Sequence, residues 1–346
     1  MSTTLVTGCA GFIGMHCAQA LLSRGDTVVG IDNLNAYYDP ALKEARLARL
    51  VGHPRFRFER IDIADRTAVA DLFARVQPQR VLHLAAQAGV RYSIDQPDDY
   101  TDSNLLGFAH ILQGCRTSKV EHLVFASSSS VYGGNARLPY RESDAVDHPI
   151  SYYAATKKAN EVMAHSYAHL YGLPITGLRF FTVYGPWGRP DMALFKFTRA
   201  MLAGEPIDVY GHGQLVRDFT YIDDIVEGVL RVLDKPAAAD DSFDPLAPNP
   251  GTSRAPYRIF NIGNSAPTVL MEYIAALESA LGIKAQKNML PQQPGDVHST
   301  AADTTALAAW VGFAPSTPVR EGVARFVDWY RDSYGHSAES TLQNSE

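Results

Sequence analysis

Apolar positions along the first half of the chain follow two alternating patterns. Short apolar runs predict buried β-strands, because about four to eight such residues between turn residues suit the interior of a sheet. Longer stretches, in which apolar residues recur with the helical period, predict amphipathic helices. The predicted strands are 4–7, 28–31, 56–61, 81–84, 123–126 and 175–180, and the predicted helices are 12–23, 66–76, 100–118 and 151–171. This alternation predicts an α/β fold with a doubly wound parallel (Rossmann) sheet, whose ligands bind at the carboxyl ends of the strands.

The regular alternation ends after residue 181. Glycine- and proline-containing loops follow, and an exposed loop is predicted at 235–256. The remaining predicted elements are loops at 182–191 and 210–213, helices at 193–203, 224–233, 271–281, 304–310 and 319–332, and a strand at 258–262. We expect a doubly wound domain over 1–181, joined by parts of 218–262, a smaller mixed α/β domain over most of 182–334, and a polar tail over 335–346.

Composition narrows the kind of partner that the chain can bind. Its 346 residues are 46% hydrophobic and carry 31 Lys and Arg against 37 Asp and Glu, a formal net charge of -6. This balance offers no basic face to nucleic acid or to an anionic membrane, so a small-molecule ligand is expected. The 3 cysteines have no metal-ligand spacing and are odd in number, which argues against a metal site and a disulfide framework. No signal peptide and no apolar run of about 18 residues is recognised, and a cytoplasmic protein is expected.

A glycine-rich turn connects the first predicted strand to the first helix. Gly8, Gly11 and Gly14 would let backbone N–H groups and the helix N-terminus approach a pyrophosphate, because no Cβ stands in the way. Phe12 and Ile13 belong to the same turn. A plain strand-to-helix turn can also carry glycines, so the residues that follow decide between the two interpretations.

The end of the second predicted strand carries a residue that favours a dinucleotide. Asp32 stands about 20 residues beyond the turn, where a carboxylate accepts hydrogen bonds from an adenosine ribose and repels a 2′-phosphate. No Arg follows it directly and Asn33 is neutral, so the sequence favours NAD over NADP. Asp62 ends the third strand and is either a contact for the adenine amino group or an ordinary exposed carboxylate. Further candidate cofactor contacts are Ile63, Leu84, Ala85, Ala86 and Gln87.

Tyr153 and Lys157 lie one turn apart within one predicted helix. A tyrosine has an ordinary pKa of about 10, and each unit of depression needs about 1.4 kcal/mol of stabilisation of its phenolate. A nearby ammonium group and an oxidised nicotinamide would both supply it. The serines at 127–130 place several hydroxyls after the fifth strand, and one of them can bond a substrate oxygen and help to relay its proton to Tyr153. Tyr152 has Thr156 instead of a cation at the same spacing, so we assign it a structural role.

Together these features closely resemble the extended short-chain dehydrogenase/reductase family over nearly the whole chain. The glycine-rich turn, Asp32, the serines around Ser128 and the Tyr153/Lys157 pair occur in the family's order. Within that family the chain is similar to nucleotide-sugar 4-epimerases of the UDP-glucuronate type, in segments 30–39, 85–93 and 179–192. The resemblance implies tightly bound NAD without net redox change, and a UDP-sugar substrate held mainly by the smaller domain.

The same resemblance implies roles for individual residues. It makes Ser128 the catalytic hydroxyl, Tyr153 the base and Lys157 its activator, and Tyr153 and Lys157 also contact the cofactor. Asn104 matches a helix asparagine counted among the cofactor residues, and Arg217 matches a diphosphate-binding arginine. The implied substrate contacts are Arg91, Ser128, Ser129, Ser130, Thr182, Arg189, Ala193, Val209, Tyr210, Arg217 and Asp296.

The residues after Ser128 separate this chain from relatives that share the first oxidation. By resemblance, sugar 4,6-dehydratases carry an Asp-Glu pair at the positions of Ser129 and Ser130, and UDP-glucuronate decarboxylases carry Glu at the latter. Without these acids we expect the keto intermediate to be reduced again, which is epimerisation. For a glucuronate this intermediate is a β-keto acid, so its carboxylate must be kept from leaving as carbon dioxide. The candidates to hold it are Ser129, Ser130, Thr182 and Arg189, the last through a charge-assisted bond.

Several functions stay open on the sequence alone. A UDP-galactose or UDP-N-acetylhexosamine 4-epimerase would use the same catalytic residues. A net dehydrogenase would release NADH, and a non-enzymatic NAD-sensing protein would catalyse no reaction. Arg91 is either a second cation for the substrate or a solvated loop residue. Gln293 replaces an arginine of the galactose-type relatives, so the diphosphate contacts differ from theirs. The resemblance further implies a homodimer through helices 100–118 and 151–171.

Overall fold

The computed structural model describes residues 2–293 and 295–342, with side-chain surroundings given as far as residue 334. Its strands are β1 (Thr3–Thr7), β2 (Thr27–Asp32), β3 (Phe56–Arg60), β4 (Arg80–His83), β5 (His122–Ser128), β6 (Ile175–Phe180), β7 (Thr182–Tyr184), β8 (Ile207–Val209), β9 (Val216–Tyr221), β10 (Tyr257–Ile262), β11 (Pro267–Val269) and β12 (Lys287–Met289). Its α-helices are α1 (Phe12–Ser23), α2 (Pro40–Ala48), α3 (Arg66–Val76), α4 (Tyr92–Asp95), α5 (Pro97–Tyr100), α6 (Gly107–Thr117), α7 (Tyr152–Tyr171), α8 (Ala193–Leu202), α9 (Ile222–Leu233), α10 (Leu270–Leu281), α11 (Thr305–Val311) and α12 (Val319–Leu342).

A seven-stranded sheet in the order β10-β6-β5-β4-β1-β2-β3 forms the centre of the fold. Every neighbouring pair in it is parallel. After β3 the chain returns to place β4 on the other side of β1, so the strand order reverses there and a crevice opens at the carboxyl ends of the strands. The predicted doubly wound sheet is confirmed. Strand β10, from the second half of the chain, pairs with β6 at the edge of this sheet.

Helices cover both faces of the sheet because neighbouring strand residues point in opposite directions. Leu5 of β1 belongs to a buried apolar cluster with α3, α6 and α7. The next residue, Val6, belongs to a second cluster with α1 and α9. Both side chains are fully buried. Because α9 packs on α1, this helix from the second half of the chain also belongs with the central sheet.

A third apolar cluster joins α8, α10 and α12 to β9. At its centre Phe219 and Tyr273 stack with ring centroids 3.9 Å apart. Around it lie two small sheets, ordered β11-β9-β7 and β12-β8. The division into a domain over 1–181 and a smaller one over most of 182–334 stays a prediction. No helix among the described residues combines the length and apolar content that a membrane span needs.

The prediction of one helix over 100–118 is wrong for its first third. Residues Thr101–Leu106 form a π-helix. The cause lies in a neighbouring helix. Asn160 of α7 donates its side-chain amide to the backbone carbonyl of Asn104 at 2.6 Å, so that carbonyl has a partner outside the regular helical ladder. An inserted side-chain donor of this kind is a typical origin of a π-bulge. Regular α-helix resumes only at Gly107.

Other differences concern short or polar elements. Helix α2 and strands β8, β9, β11 and β12 were not predicted, and three of these strands have only 3 residues. The segments expected as loops at 182–191 and 210–213 contain β7 and a short 3-10 helix, Tyr210–Gly213. The expected loop at 235–256 contains no helix or strand among its residues. Helix α12 runs through the start of the expected tail to Leu342, and 343–346 lie outside the described residues.

Candidate active site

The glycine-rich turn packs against the end of β4 without room for side chains. Gly8 has φ +72°, and a Cβ on it would lie 2.8 Å from the backbone N of Ala85. A Cβ on Gly14 would lie 2.0 Å from the carbonyl oxygen of Gly8. No side chain caps the N-terminus of α1, so its first N–H groups are available to an anion. The turn therefore fits a dinucleotide pyrophosphate.

Asp32 is held in place at the end of β2 by two backbone groups. Its carboxylate accepts from the N–H of Ala10 at 3.1 Å and of Leu34 at 2.9 Å. Burial raises the pKa of Asp32, while these hydrogen bonds and nearby cations oppose that change. The carboxylate lines the same pocket as the glycines, where a ribose hydroxyl could take its remaining lone pairs.

One open pocket runs from the glycine-rich turn to the end of β5. The predicted cofactor residues that line it are Gly8, Gly11, Phe12, Ile13, Gly14, Asp32, Asn33, Ile63, Leu84, Ala85, Ala86, Gln87, Tyr153 and Lys157. Two others do not line it. Asp62 accepts from the Asn33 amide at 2.9 Å, and Asn104 bonds the Gln87 backbone in both directions, at 2.9 and 3.0 Å. Both act on the pocket through residues that do line it.

The predicted catalytic trio meets at the far end of this pocket. Ser128 is the last residue of β5, and Tyr153 and Lys157 lie in the first turns of α7, which Ser151 caps through the N–H of Ala154 at 3.1 Å. The Lys157 ammonium lies 6.0 Å from the centre of the Tyr153 ring. All three residues line the pocket. The fold therefore places Ser128 beside Tyr153 and Lys157, although it lies about 25 residues before them in the sequence.

The electrostatics of the trio differ between its members. Burial raises the pKa of Tyr153, and a hydrogen bond with Ser128 and the charge of Arg189 partly lower it again. Burial lowers the pKa of Lys157 to about 8. Its ammonium donates to the carbonyl of Ala126 at 2.8 Å and forms no ion pair with a described residue. Lys157 therefore brings an uncompensated charge to the pocket.

A buried ion pair that the sequence did not reveal lies beneath the trio. Arg179 of β6 donates to both carboxylate oxygens of Glu161 at 2.8 and 2.9 Å, and both side chains are almost fully buried. Glu161 also accepts from the Ser127 hydroxyl at 2.6 Å. Since Ser127 precedes Ser128 and Glu161 follows Lys157 by one turn of α7, this pair fixes the end of β5 relative to α7.

The predicted contacts for a substrate carboxylate are divided between two neighbouring pockets. Arg189 lines both the main pocket and a smaller one, and the smaller one also contains Thr182 and Ala193. Ser129 and Ser130 line neither pocket and begin a 3-10 helix, in which the N–H of Ser130 bonds the Ser128 hydroxyl at 3.1 Å.

A second cluster gathers the residues predicted to contact the nucleotide. Arg91 pairs with Asp296 at 3.1 Å and lies over the ring of Tyr210, 5.3 Å from its centre. Tyr210 follows Val209, the last residue of β8. Burial lowers the pKa of Arg217, and Asp296 raises it in part, which places these two charges near each other. Among the described residues, Arg217 donates to the backbone carbonyls of Val216 and His298, both through Nη1, and its other donors could bind a diphosphate.

Sequence reasoning missed the contribution of α2 and the loop before it. Additional residues that line the main pocket are Asn35, Tyr37, Tyr38, Lys43, Ser103, Ala126, Phe181, Val183 and Met192. Lys43 holds Asn35 through its carbonyl at 2.7 Å. Arg46 is fully buried and donates to the carbonyls of Ala10, Trp187 and Gly188, which ties the glycine-rich turn to the loop that carries Arg189. Asp39, which caps α2, and Pro40 after it were the available signals.

Comparisons with known proteins agree with this geometry. The model of the NAD dependent epimerase/dehydratase family matches residues 4–263. The chain is 52% identical to Protein CapI of Staphylococcus aureus, over 95% of this chain and 98% of that one. It is 49% identical to a probable UDP-glucuronate 4-epimerase of Rhizobium meliloti, over 95% and 97%. A crystal structure of UDP-glucuronic acid 4-epimerase from Bacillus cereus, in complex with UDP-glucuronic acid and NAD, matches with a TM-score of 0.85 at 33% identity, over 96% of this chain and 100% of that one. The chain belongs to the NAD dependent epimerase/dehydratase family.

Proposed function

We propose that this protein is an NAD-dependent UDP-glucuronate 4-epimerase, which interconverts UDP-glucuronate and UDP-galacturonate. One observation carries the proposal. Arg189 lines the same pocket as Ser128, Tyr153 and Lys157, so a cation for a uronate carboxylate faces the groups suited to oxidise the sugar. The names of the relatives and of the matching structure support the same substrate.

The cofactor that suits this pocket is NAD. Bound there, it would accept the C4 hydride and return it to the other face of the sugar, so that no net redox change results. The glycine-rich turn would hold the pyrophosphate and Asp32 the adenosine ribose. Because the hydride returns to the substrate, we expect the purified protein to retain dinucleotide, which denaturation releases.

The proton of the C4 hydroxyl is the part of the reaction that the chain itself must move. In the proposed site Tyr153 takes this proton as the hydride leaves, and Ser128 bonds the same oxygen and stabilises the developing carbonyl. The positive charges of Lys157 and Arg189 favour the phenolate form of Tyr153. When the hydride returns, Tyr153 gives the proton back to the new C4 oxygen.

The keto stage needs protection of the carboxylate. A β-keto acid loses carbon dioxide when its carboxylate bond turns perpendicular to the ketone plane. In the proposed site Arg189, with Thr182 beside it in the smaller pocket, keeps the carboxylate away from that geometry. No aspartate or glutamate stands at positions 129 and 130, so no acid is placed to protonate the product of an elimination or decarboxylation.

The nucleotide half of the substrate would occupy the second cluster. Arg217 keeps unused donors for the diphosphate, and Arg91 already lies over the ring of Tyr210. The ion pair between Arg91 and Asp296 connects the loop after β4 to this cluster. Val209, which precedes Tyr210, completes the proposed nucleotide contacts, while Ala193 lies in the smaller pocket beside Arg189.

We further propose a homodimer that forms through the outer faces of helices 100–118 and 151–171. Large apolar side chains lie exposed on these faces: Leu106 is 47% and Val162 58% exposed. A second copy would cover both. Sedimentation should give a dimer, and Val162→Asp should shift it to monomer without removing bound NAD. The three cysteines are free and buried, which suits the cytoplasmic location we propose.

The proposed function is tested with a panel of sugars and no added cofactor. The purified protein is incubated with UDP-glucuronate, UDP-galactose or UDP-N-acetylglucosamine, and the configuration at C4 is followed by NMR. We expect UDP-galacturonate from UDP-glucuronate and little change in the others. Faster conversion of UDP-galactose would overturn the substrate assignment, accumulating NADH would indicate a net dehydrogenase, and bound NAD without turnover of any sugar would indicate a sensing protein.

A further inference from the structure

Arg189 has a counter-ion of its own in this structure. Its Nε donates to Asp191 Oδ1 at 3.0 Å and its Nη2 donates to Oδ2 at 2.5 Å. The third nitrogen, Nη1, has no hydrogen-bond partner among the residues whose side chains are described. Asp191 therefore occupies the Nε–Nη2 edge of the guanidinium and leaves the Nη1–Nη2 edge for another acceptor.

Asp191 itself stands behind the pocket. Arg189 lines the main pocket, whereas Asp191 lines neither this pocket nor the smaller one beside it. The hydroxyl of Tyr37 donates to Asp191 Oδ2 at 3.2 Å, and the Tyr37 ring packs on Tyr92 with centroids 4.8 Å apart. Asp191 is thus fixed from a second direction, by the loop that follows β2, and a substrate in the pocket would meet Arg189 first.

The charge of Asp191 is present at neutral pH. Burial opposes ionisation, but the Arg189 guanidinium outweighs it and lowers the pKa of Asp191 below its ordinary value. The pair is partly exposed, with 23% of the Arg189 side chain and 27% of the Asp191 side chain accessible. Arg189 consequently presents a partly neutralised cation rather than a bare one.

We propose that Asp191 is a positioning residue that sets how Arg189 binds the uronate carboxylate, by leaving it only the Nη1–Nη2 edge of the guanidinium and a partly compensated charge. This inference rests on the proposed function, in which Arg189 meets that carboxylate. A compensated contact suits an epimerase, because the sugar ring must turn over between the two hydride transfers. A guanidinium without a counter-ion would hold one orientation more tightly and slow that turn.

The test separates binding from turnover. Asp191→Asn keeps the size of the side chain and removes its charge, and Asp191→Glu keeps the charge as a conservative control. Dissociation constants for UDP-glucuronate and UDP-glucose are measured by calorimetry on the NAD-bound protein, in a Tyr153→Phe background that prevents turnover. We expect Asp191→Asn to bind UDP-glucuronate about 10-fold more tightly, because the Arg189 charge is no longer compensated, with UDP-glucose unchanged. Asp191→Glu should stay near the parent.

Turnover supplies the second readout. With Tyr153 restored, Asp191→Asn should lower both KM and kcat for UDP-glucuronate, because the carboxylate is released more slowly from Arg189. Weaker binding of UDP-glucuronate, or an equal change for both sugars, would mean that Asp191 is only a structural support and would overturn the inference. A parent protein that binds both sugars equally would instead contradict the proposed uronate substrate, so the two failures are distinguishable.

Discussion

Two cations, Arg179 and Lys157, lie buried near the carboxyl end of β5. Arg179 has a carboxylate partner, whereas Lys157 forms no ion pair with a described residue. Arg179 is fully buried and bonds both oxygens of Glu161, which raises its pKa even though burial acts against it. Lys157 is 3% exposed, and the carbonyl of Ala126 is its one hydrogen-bond acceptor among the described residues, so burial lowers its pKa to about 8. The first charge is neutralised inside the protein, and the second is left for a ligand.

The difference between these two cations separates a structural charge from a charge that faces the ligand pocket. A buried pair such as Arg179 and Glu161 gains little net stability, but loss of one partner leaves a buried charge uncompensated. An unpaired ammonium costs stability as long as the pocket is empty of ligand. The paired cation therefore fixes the geometry of β5 and α7, while in the proposed site Lys157 supplies charge to the chemistry between them.

The largest effect on turnover is expected at Tyr153, the proposed base beside the unpaired Lys157. Tyr153→Phe keeps the ring and removes the proton acceptor, so turnover of UDP-glucuronate should fall by about 100- to 10,000-fold with little loss of affinity. Tyr152→Phe is the matched control, because the Tyr152 hydroxyl bonds only Thr101 at the surface, at 2.7 Å. Steady-state rates for both variants decide the matter. Loss of activity in Tyr152→Phe with near-normal turnover in Tyr153→Phe would exchange their roles.

The largest effect on stability is expected at Glu161, the partner of Arg179. Glu161→Gln leaves the Arg179 guanidinium buried without a counter-charge, which should lower the free energy of unfolding by about 3–5 kcal/mol. Asp147→Asn is the control, since it breaks an exposed pair with Lys158 at 3.5 Å and should cost less than about 1 kcal/mol. Urea unfolding of the two variants measures both values. Equal, small losses would show that the buried pair is dispensable.

Removal of the unpaired Lys157 charge should increase the free energy of unfolding, opposite to the effect of Glu161→Gln. The pKa of Lys157 is about 8 in the folded protein against an ordinary value of 10.5, so the unfolded chain binds more protons between these pH values. Lys157→Met should therefore stabilise the dinucleotide-free protein by up to about 3 kcal/mol at pH 7, and this gain should shrink as the pH rises from 8 to 10.5. Unfolding curves across this range test it, and a destabilised variant at pH 7 would contradict the contrast with Arg179.

The smallest effect concerns the products formed at Arg189. Arg189→Ala should let part of the keto intermediate lose carbon dioxide, which gives a UDP-4-keto-pentose and leaves NADH on the enzyme. Arg91→Ala is the control, because Arg91 lies in the nucleotide cluster and its loss should weaken binding without a new product. Product analysis with NADH absorbance measures the outcome. Clean epimerisation with unchanged affinity in Arg189→Ala would remove that residue from the site.

The sequence predicted the elements whose inward faces are apolar. Helix α3 has the predicted bounds, with Asp65 as its cap and Leu72 and Phe73 buried. Helix α2 was missed because its buried face carries Lys43 and Arg46, which a hydrophobic pattern treats as solvent-facing. The local apolar pattern holds no information on such charged side chains, because it does not show the carbonyls of Asn35 and Trp187 that accept their hydrogen bonds.

The same limit applies to the site. The spacing of Tyr153 and Lys157 is local to one helix, so the helical period alone places them side by side. The bond between Glu161 and Arg179 joins a helix to a strand, and the orientation of Arg189 depends on a turn that brings Asp191 back to it. These arrangements follow from tertiary packing, and only the fold reveals them.

The central claim is that the hydride leaves C4 and returns to C4 of the same sugar. The most direct test is to incubate the protein with UDP-glucuronate deuterated at C4, in ordinary water and without added cofactor. NMR should show UDP-galacturonate that retains the deuterium at C4 at equilibrium. Loss of the label to solvent, with a proton at C4 of the product, would contradict the account.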